Sequence, residues 1–113
     1  MKERNSMKKL VRDKIPEILV KKNRDHKTKT LTDDQQYLLA LHDKLIEEVD
    51  EFIQASSSKD DERTKEELAD VLEVIDALYK LKNYDANEIE ALRLKKKSER
   101  GGFSKRVLLV LED

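Results

Sequence analysis

From Glu17 to Arg100 the chain contains neither glycine nor proline. These two residues are the strongest local punctuators of a polypeptide, and a β-sandwich needs them at its many turns. The chain is therefore predicted to build a few long elements. Within that span apolar residues recur at helical spacing. Charged residues make up 43% of the sequence and hydrophobic ones 37%, the split expected of amphipathic helices with solvated outer faces. The predicted fold is all-α, a small four-helix bundle with a short extended C-terminal tail. At 113 residues it reads as a single domain, 1–113, with a modest core. So much charge can signal disorder, but here the signs balance and the apolar periodicity persists.

The helix limits follow from local signals. In "KLVRDKIPEILVKK", Pro16 suits a first helical turn that runs on to about Asn23. Thr32 is a candidate N-cap, with Gln35 completing a capping-box pattern and Asp33 and Asp34 favouring the positive end of the helix dipole. That second helix is predicted to reach about Ala55, where "SSSKDD" breaks the pattern. A third is predicted over Asp61 to Lys82, with Asn83 as its C-cap. Asp85 and Glu88 mark the start of a fourth, stopped near Arg100 by Gly101 and Gly102. The tail "FSKRVLLVLED" fits either a short strand or a docked extended segment.

Composition also excludes functions. A net charge of -1 argues against a general polyanion binder, and five aromatic residues are few for stacking on single-stranded nucleic acid. No nucleic-acid partner is expected. Without cysteine there is no disulfide, thiolate metal site or cysteine nucleophile, which fits a cytoplasmic protein. No apolar run reaches membrane-spanning length and no signal peptide is visible. His26 and His42 are the only histidines, so a histidine-rich metal site is not expected. No Walker-type glycine-rich loop occurs.

The informative residues are acidic. "LHDKLIEEVDEF" sets Glu47, Glu48, Asp50 and Glu51 beside the apolar face predicted for the second helix, Leu45, Val49, Phe52 and Ile53. At about 100° per residue, Glu48 and Glu51 fall on the flank of that face while Glu47 and Asp50 point away. In "KEELADVLEVIDAL" the predicted main face is Leu68, Val71, Leu72, Ile75, Leu78 and Tyr79, and Glu67 and Asp70 lie inside a widened apolar arc. Burying an unpaired carboxylate is costly, and a hard cation between two such helices would remove the cost. Among 25 acidic residues either pair alone is ordinary surface decoration. Two pairs on neighbouring helices, both edging into apolar arcs, make metal binding and solvation about equally good readings.

"EEVDE" followed by "ELAD" resembles the EExxE…ExxD signature of the MazG-like all-α nucleoside triphosphate pyrophosphohydrolases. "KLVRDKIPEI" and "ERGGF" are similar to the phosphoribosyl-ATP pyrophosphohydrolase-like branch of that superfamily. The resemblance implies an oligomeric all-α enzyme that cleaves a nucleoside triphosphate between the α and β phosphates, releasing a monophosphate and pyrophosphate. It implies Mg²⁺, with Mn²⁺ as a substitute, held by Glu48, Glu51, Glu67 and Asp70. Glu47 matches the signature's first glutamate; Glu47 or Glu51 would activate water, with Glu48 beside them in the catalytic group. It further places Arg100, with Gly101 and Gly102, in the substrate region and brings Arg12 and Lys14 toward phosphate. Arg100 belongs to the basic run "RLKKKSERGGFSKR", which also offers Lys97.

Each of these residues also has a plainer role. Gly101 stops a helix, the lysine run solvates one, and Arg12 and Lys14 form salt bridges. The expected substrate is a noncanonical or surplus nucleoside triphosphate, with phosphoribosyl-ATP of histidine synthesis as the alternative. A non-catalytic helical interaction module is the other reading. The third helix is apolar or small around more than half its circumference, which predicts a homodimer or higher homo-oligomer.

Overall fold

The computed structural model describes residues 8–112. Among these it contains four α-helices and no strand: α1 (Ile15–Lys21), α2 (Asp34–Ser57), α3 (Asp61–Lys82) and α4 (Ala86–Arg100). The fold is all-α. The chain divides after Lys82 into two compact units.

The first unit is built on α2 and α3. Asp33 caps α2, its carboxylate accepting a hydrogen bond from the Gln36 backbone N–H at 2.9 Å. The cap thus stands one residue beyond Thr32, because an aspartate is at least as good a cap as threonine and here has the N–H within reach. The helix continues through Ser56 and Ser57, so only Ser58, Lys59 and Asp60 separate it from α3. In this turn Ser58 Oγ donates to the Ala55 carbonyl at 2.9 Å. Lys59 takes a left-handed φ of 64°, and Asp60 accepts from the Arg63 N–H at 3.2 Å. So short a link makes α2 and α3 an antiparallel hairpin. Asn83, at φ 59°, closes α3 as expected. Helix α1 is a short turn opened by Pro16 and ended at Lys21, with Asn23 at φ 53° just beyond it.

The seam between α2 and α3 does not follow the most apolar stripe. On α2 the buried residues are Leu41, Glu48 and Ala55, a seven-residue repeat. On α3 Val74 is buried, and Glu67 and Leu81, one heptad to either side, are half-buried. Such spacing is that of helices packing nearly parallel in axis. Val49 and Ile53, expected inside, are exposed, as are Leu39 and Ile46. On α3, Leu68 and Leu72 are exposed too, while Val71, Ile75, Leu78 and Tyr79 are half-buried. One partner helix covers one stripe, and the stripe chosen contains the carboxylates.

In the second unit Asp85 caps α4, accepting from the Asn87 N–H at 2.8 Å. Arg93 grips Glu90 with two hydrogen bonds of 2.8 and 2.7 Å. Gly101, at φ 86°, ends the helix in a conformation that side chains disfavour. The tail is neither strand nor docked segment: after a turn at Phe103–Arg106 it has no regular structure, and Phe103 and Val107 to Leu111 are all at least 76% exposed.

Candidate active site

Glu48 is the centre of the acidic cluster. Its position in the α2 heptad drives its side chain into the seam, where it is 9% exposed. One carboxylate oxygen, Oε2, meets Lys44 Nζ at 3.2 Å. The other, Oε1, is buried without a hydrogen-bond partner, and so is Oε1 of Glu67 on α3. Buried acceptors are rarely left unpaired, since each costs its full desolvation. Two such oxygens on neighbouring helices are acceptors that a bound cation would satisfy.

The surrounding acids converge on these two. Oxygens of Glu48, Glu67 and Asp70 lie within 4.8 Å of one another, and so do those of Glu47, Glu48 and Glu51. Glu48 is common to both groups, so the four residues implied as ligands meet there. Burial pushes the Glu51 carboxyl above the ordinary carboxylate value of 4.5, and the charges of Glu48 and Glu47 push it further. The Glu67 carboxyl is also raised, by burial first and then by Glu51, Asp70 and Glu48, with Arg63 opposing. In both, burial is the first cause and the neighbouring carboxylate charges add to it. Oxygen donors at this density, two of them orphaned, fit a hard divalent ion.

Side-chain cations partly offset these charges. Arg12, on the segment preceding α1, contacts Asp70 at 2.5 Å. Lys44 also meets Glu47 at 3.3 Å, Lys9 lies 3.6 Å from the same Glu47 oxygen, and Arg63 lies 3.8 Å from Glu67. Pulled by two lysines, Glu47 is half-buried and joins the cluster instead of pointing away, whereas Asp50 is exposed as expected. Lys44, Lys9 and Arg63 are the residues the sequence reading missed. Lys44 and Arg63 stand four residues before Glu48 and Glu67, the i,i+4 spacing that pairs charges on a helix, so the signal was present. Lys9 is paired by the fold alone.

Lys14 is the exposed N-cap residue of α1. Lys97 and Arg100 belong to the last turn of α4 in the second unit, where the Lys97 carbonyl accepts from the Gly101 N–H at 2.8 Å. Beside the carboxylates a cavity of about 520 Å³ opens between the Leu10–Asp13 segment, α2 and α3. Glu48, Asp70, Lys44 and Arg12 form part of its wall, within the size range of small-molecule sites.

The family model for phosphoribosyl-ATP pyrophosphohydrolase matches residues 5–98. That span includes Arg12, both carboxylate pairs and Lys97, and stops short of Arg100 and its glycines. No curated protein and no solved structure gives a significant match. Carboxylates, cations and cavity lie within the matched span, and the chain belongs to the phosphoribosyl-ATP pyrophosphohydrolase family, nucleotide pyrophosphohydrolases that act on phosphoric anhydrides.

Proposed function

We propose that the chain cleaves the α–β phosphoanhydride of a nucleoside triphosphate, releasing a nucleoside monophosphate and pyrophosphate, with Mg²⁺ as its cation and Mn²⁺ as a substitute. The observation that carries this reading is the pair of orphaned carboxylate oxygens, on Glu48 and Glu67, facing one seam. Glu48, Glu67 and Asp70 hold the cation. A divalent ion supplies Lewis-acid charge neutralisation on phosphate oxygens and a template for an in-line attack. Arg12 and Lys9, already at the rim of the cluster, turn to the phosphates. Glu51 takes the proton of the attacking water on a carboxylate oxygen. Its carboxyl, raised by burial and by the charges of Glu48 and Glu47, suits a base, whereas two lysines hold Glu47.

Phosphoribosyl-ATP is the substrate that the family match favours, ahead of a general house-cleaning panel. We also propose a homodimer or higher homo-oligomer. The exposed stripe of Leu39, Ile46 and Ile53 on α2, with Leu68 and Leu72 on α3, supports a second copy as its cover. Among the described residues no helix is long and apolar enough to cross a membrane, and a cytoplasmic setting is part of this reading. The test is product chromatography on phosphoribosyl-ATP and on canonical and modified nucleoside triphosphates, with and without Mg²⁺. Monophosphate and pyrophosphate appearing only with Mg²⁺ is the expected result. Diphosphate and orthophosphate, or turnover indifferent to metal, would overturn it.

A further inference from the structure

The cavity does not stop at the carboxylates. On α3 it runs from Asp70 past Val74 and Ala77 to Leu81, a rise of about 16 Å along the axis. On α2 it runs in the opposite chain direction from Glu48 past Leu41 to Tyr37. It is therefore a groove along one side of the helix pair, charged at the Glu48 and Asp70 end, with Leu41, Val74 and Ala77 sharing its middle with Lys44, Glu73 and Asp76. Asp76 and Lys80, paired at 2.9 Å, also line it and offer an acceptor and a donor.

We infer that this groove is the nucleoside subsite, with Tyr37 as the residue on which the base stacks and Ala77 as the small residue that keeps the floor open. The inference rests on the pyrophosphohydrolase reading, which fixes the phosphates at the carboxylate end. The α-phosphate is bonded to the sugar, so the ribose and base must leave the carboxylates by a path long enough to hold both. The groove is such a path, and it begins at the very side chains that hold the reacting end. Leu41, Val74 and Ala77 suit the faces of ribose and base, and Glu73, Asp76 and Lys80 offer acceptors and a donor to the sugar hydroxyls and the base edge. A half-buried tyrosine on a helix supplies a rigid aromatic face at low entropic cost.

The test is calorimetry with Mg²⁺ present, using α,β-imido analogues of ATP, GTP, CTP and UTP and, as a probe without a nucleoside, pyrophosphate. Tyr37→Ala is expected to weaken the tightest-binding analogue about tenfold, the scale of one base-stacking contact, and to leave pyrophosphate unchanged. Tyr37→Phe keeps the aromatic face and the affinity. Ala77→Phe, checked for folding by circular dichroism, blocks the groove and abolishes analogue binding while pyrophosphate still binds. If analogues bind both altered chains as they bind the unaltered one, or if pyrophosphate weakens in step with them, the subsite is wrong and the hydrolase reading stands. If the unaltered protein binds neither analogue nor pyrophosphate, the hydrolase reading fails and takes the subsite with it.

Discussion

Replacing Glu67 by glutamine should stabilise the protein without metal and destabilise it, relative to the parent, with metal. Its Oε1 is buried and unpaired, its side chain is 14% exposed, and burial and three neighbouring carboxylates raise its pKa. A buried unsatisfied acceptor costs about 1–3 kcal/mol, more when charged. Glutamine removes the charge, keeps the shape, and presents an amide N–H₂ that can donate to Asp70 or Glu51. Against this stands the loss of the Arg63 contact at 3.8 Å, worth about 0.5 kcal/mol for a half-exposed pair. The net gain in EDTA is about 1 kcal/mol, or roughly 4 °C in melting temperature for a chain of this size. With Mg²⁺ at a hundred times its dissociation constant the parent gains about 2.7 kcal/mol by mass action. Glu67→Gln gains much less, so the order of melting reverses. The assay is thermal melting followed by circular dichroism, in EDTA and across a Mg²⁺ titration. If Glu67→Gln melts no higher than the parent in EDTA, the orphaned carboxylate is not a source of strain. If Mg²⁺ lifts both equally, Glu67 is not a ligand.

Three further outcomes are expected. The Glu67→Gln advantage in EDTA should shrink as pH falls. A carboxyl whose folded pKa is raised above 4.5 adds stability that is fully present below that ordinary value and is lost as pH rises through the folded one. Melting curves between pH 4 and 8 would show it, and a constant gap would count against the shift. Arg12→Gln should tighten Mg²⁺ binding in calorimetry, because it frees Asp70, yet lower kcat/KM by about tenfold or more through a lost charged contact to phosphate; weaker Mg²⁺ binding would contradict this. Ile46→Glu with Leu72→Glu should convert an oligomer to a chain of 13.3 kDa in light scattering, whereas an unaltered protein already of that mass would refute the assembly.

Helix existence was legible because caps and breaks are local. Asp85 and Asn83 act where the sequence placed them, and Asp33 displaced Thr32 by a single residue. The packed face was legible only in part: Leu45, Phe52, Val71, Ile75, Leu78 and Tyr79 are half-buried. An apolar wheel sums everything a helix would bury, against its own chain or another copy. It therefore pointed to Val49, Ile53, Leu68 and Leu72, which are exposed. The intrachain seam instead follows Leu41, Glu48 and Ala55, a repeat with a charge at its centre that hydropathy disfavours. Glu48, Glu51, Glu67 and Asp70 were readable as a set because they share helix flanks. The contact of Arg12 with Asp70 spans a separation that no periodicity encodes, and Lys9 reaches Glu47 only once the chain is folded.

The contact of Arg12 with Asp70 has its own consequence for assembly. A small metalloprotein whose ligands repel one another must often wait for its ion before it can fold. Here Arg12, Lys44 and Lys9 act as resident counter-ions for Asp70, Glu48 and Glu47. Were the cluster to hold an ion, these contacts would let the chain fold before that ion binds. An ion bound there would take the place of the guanidinium at Asp70 and leave Arg12 beside the site with a free positive charge for an incoming anion.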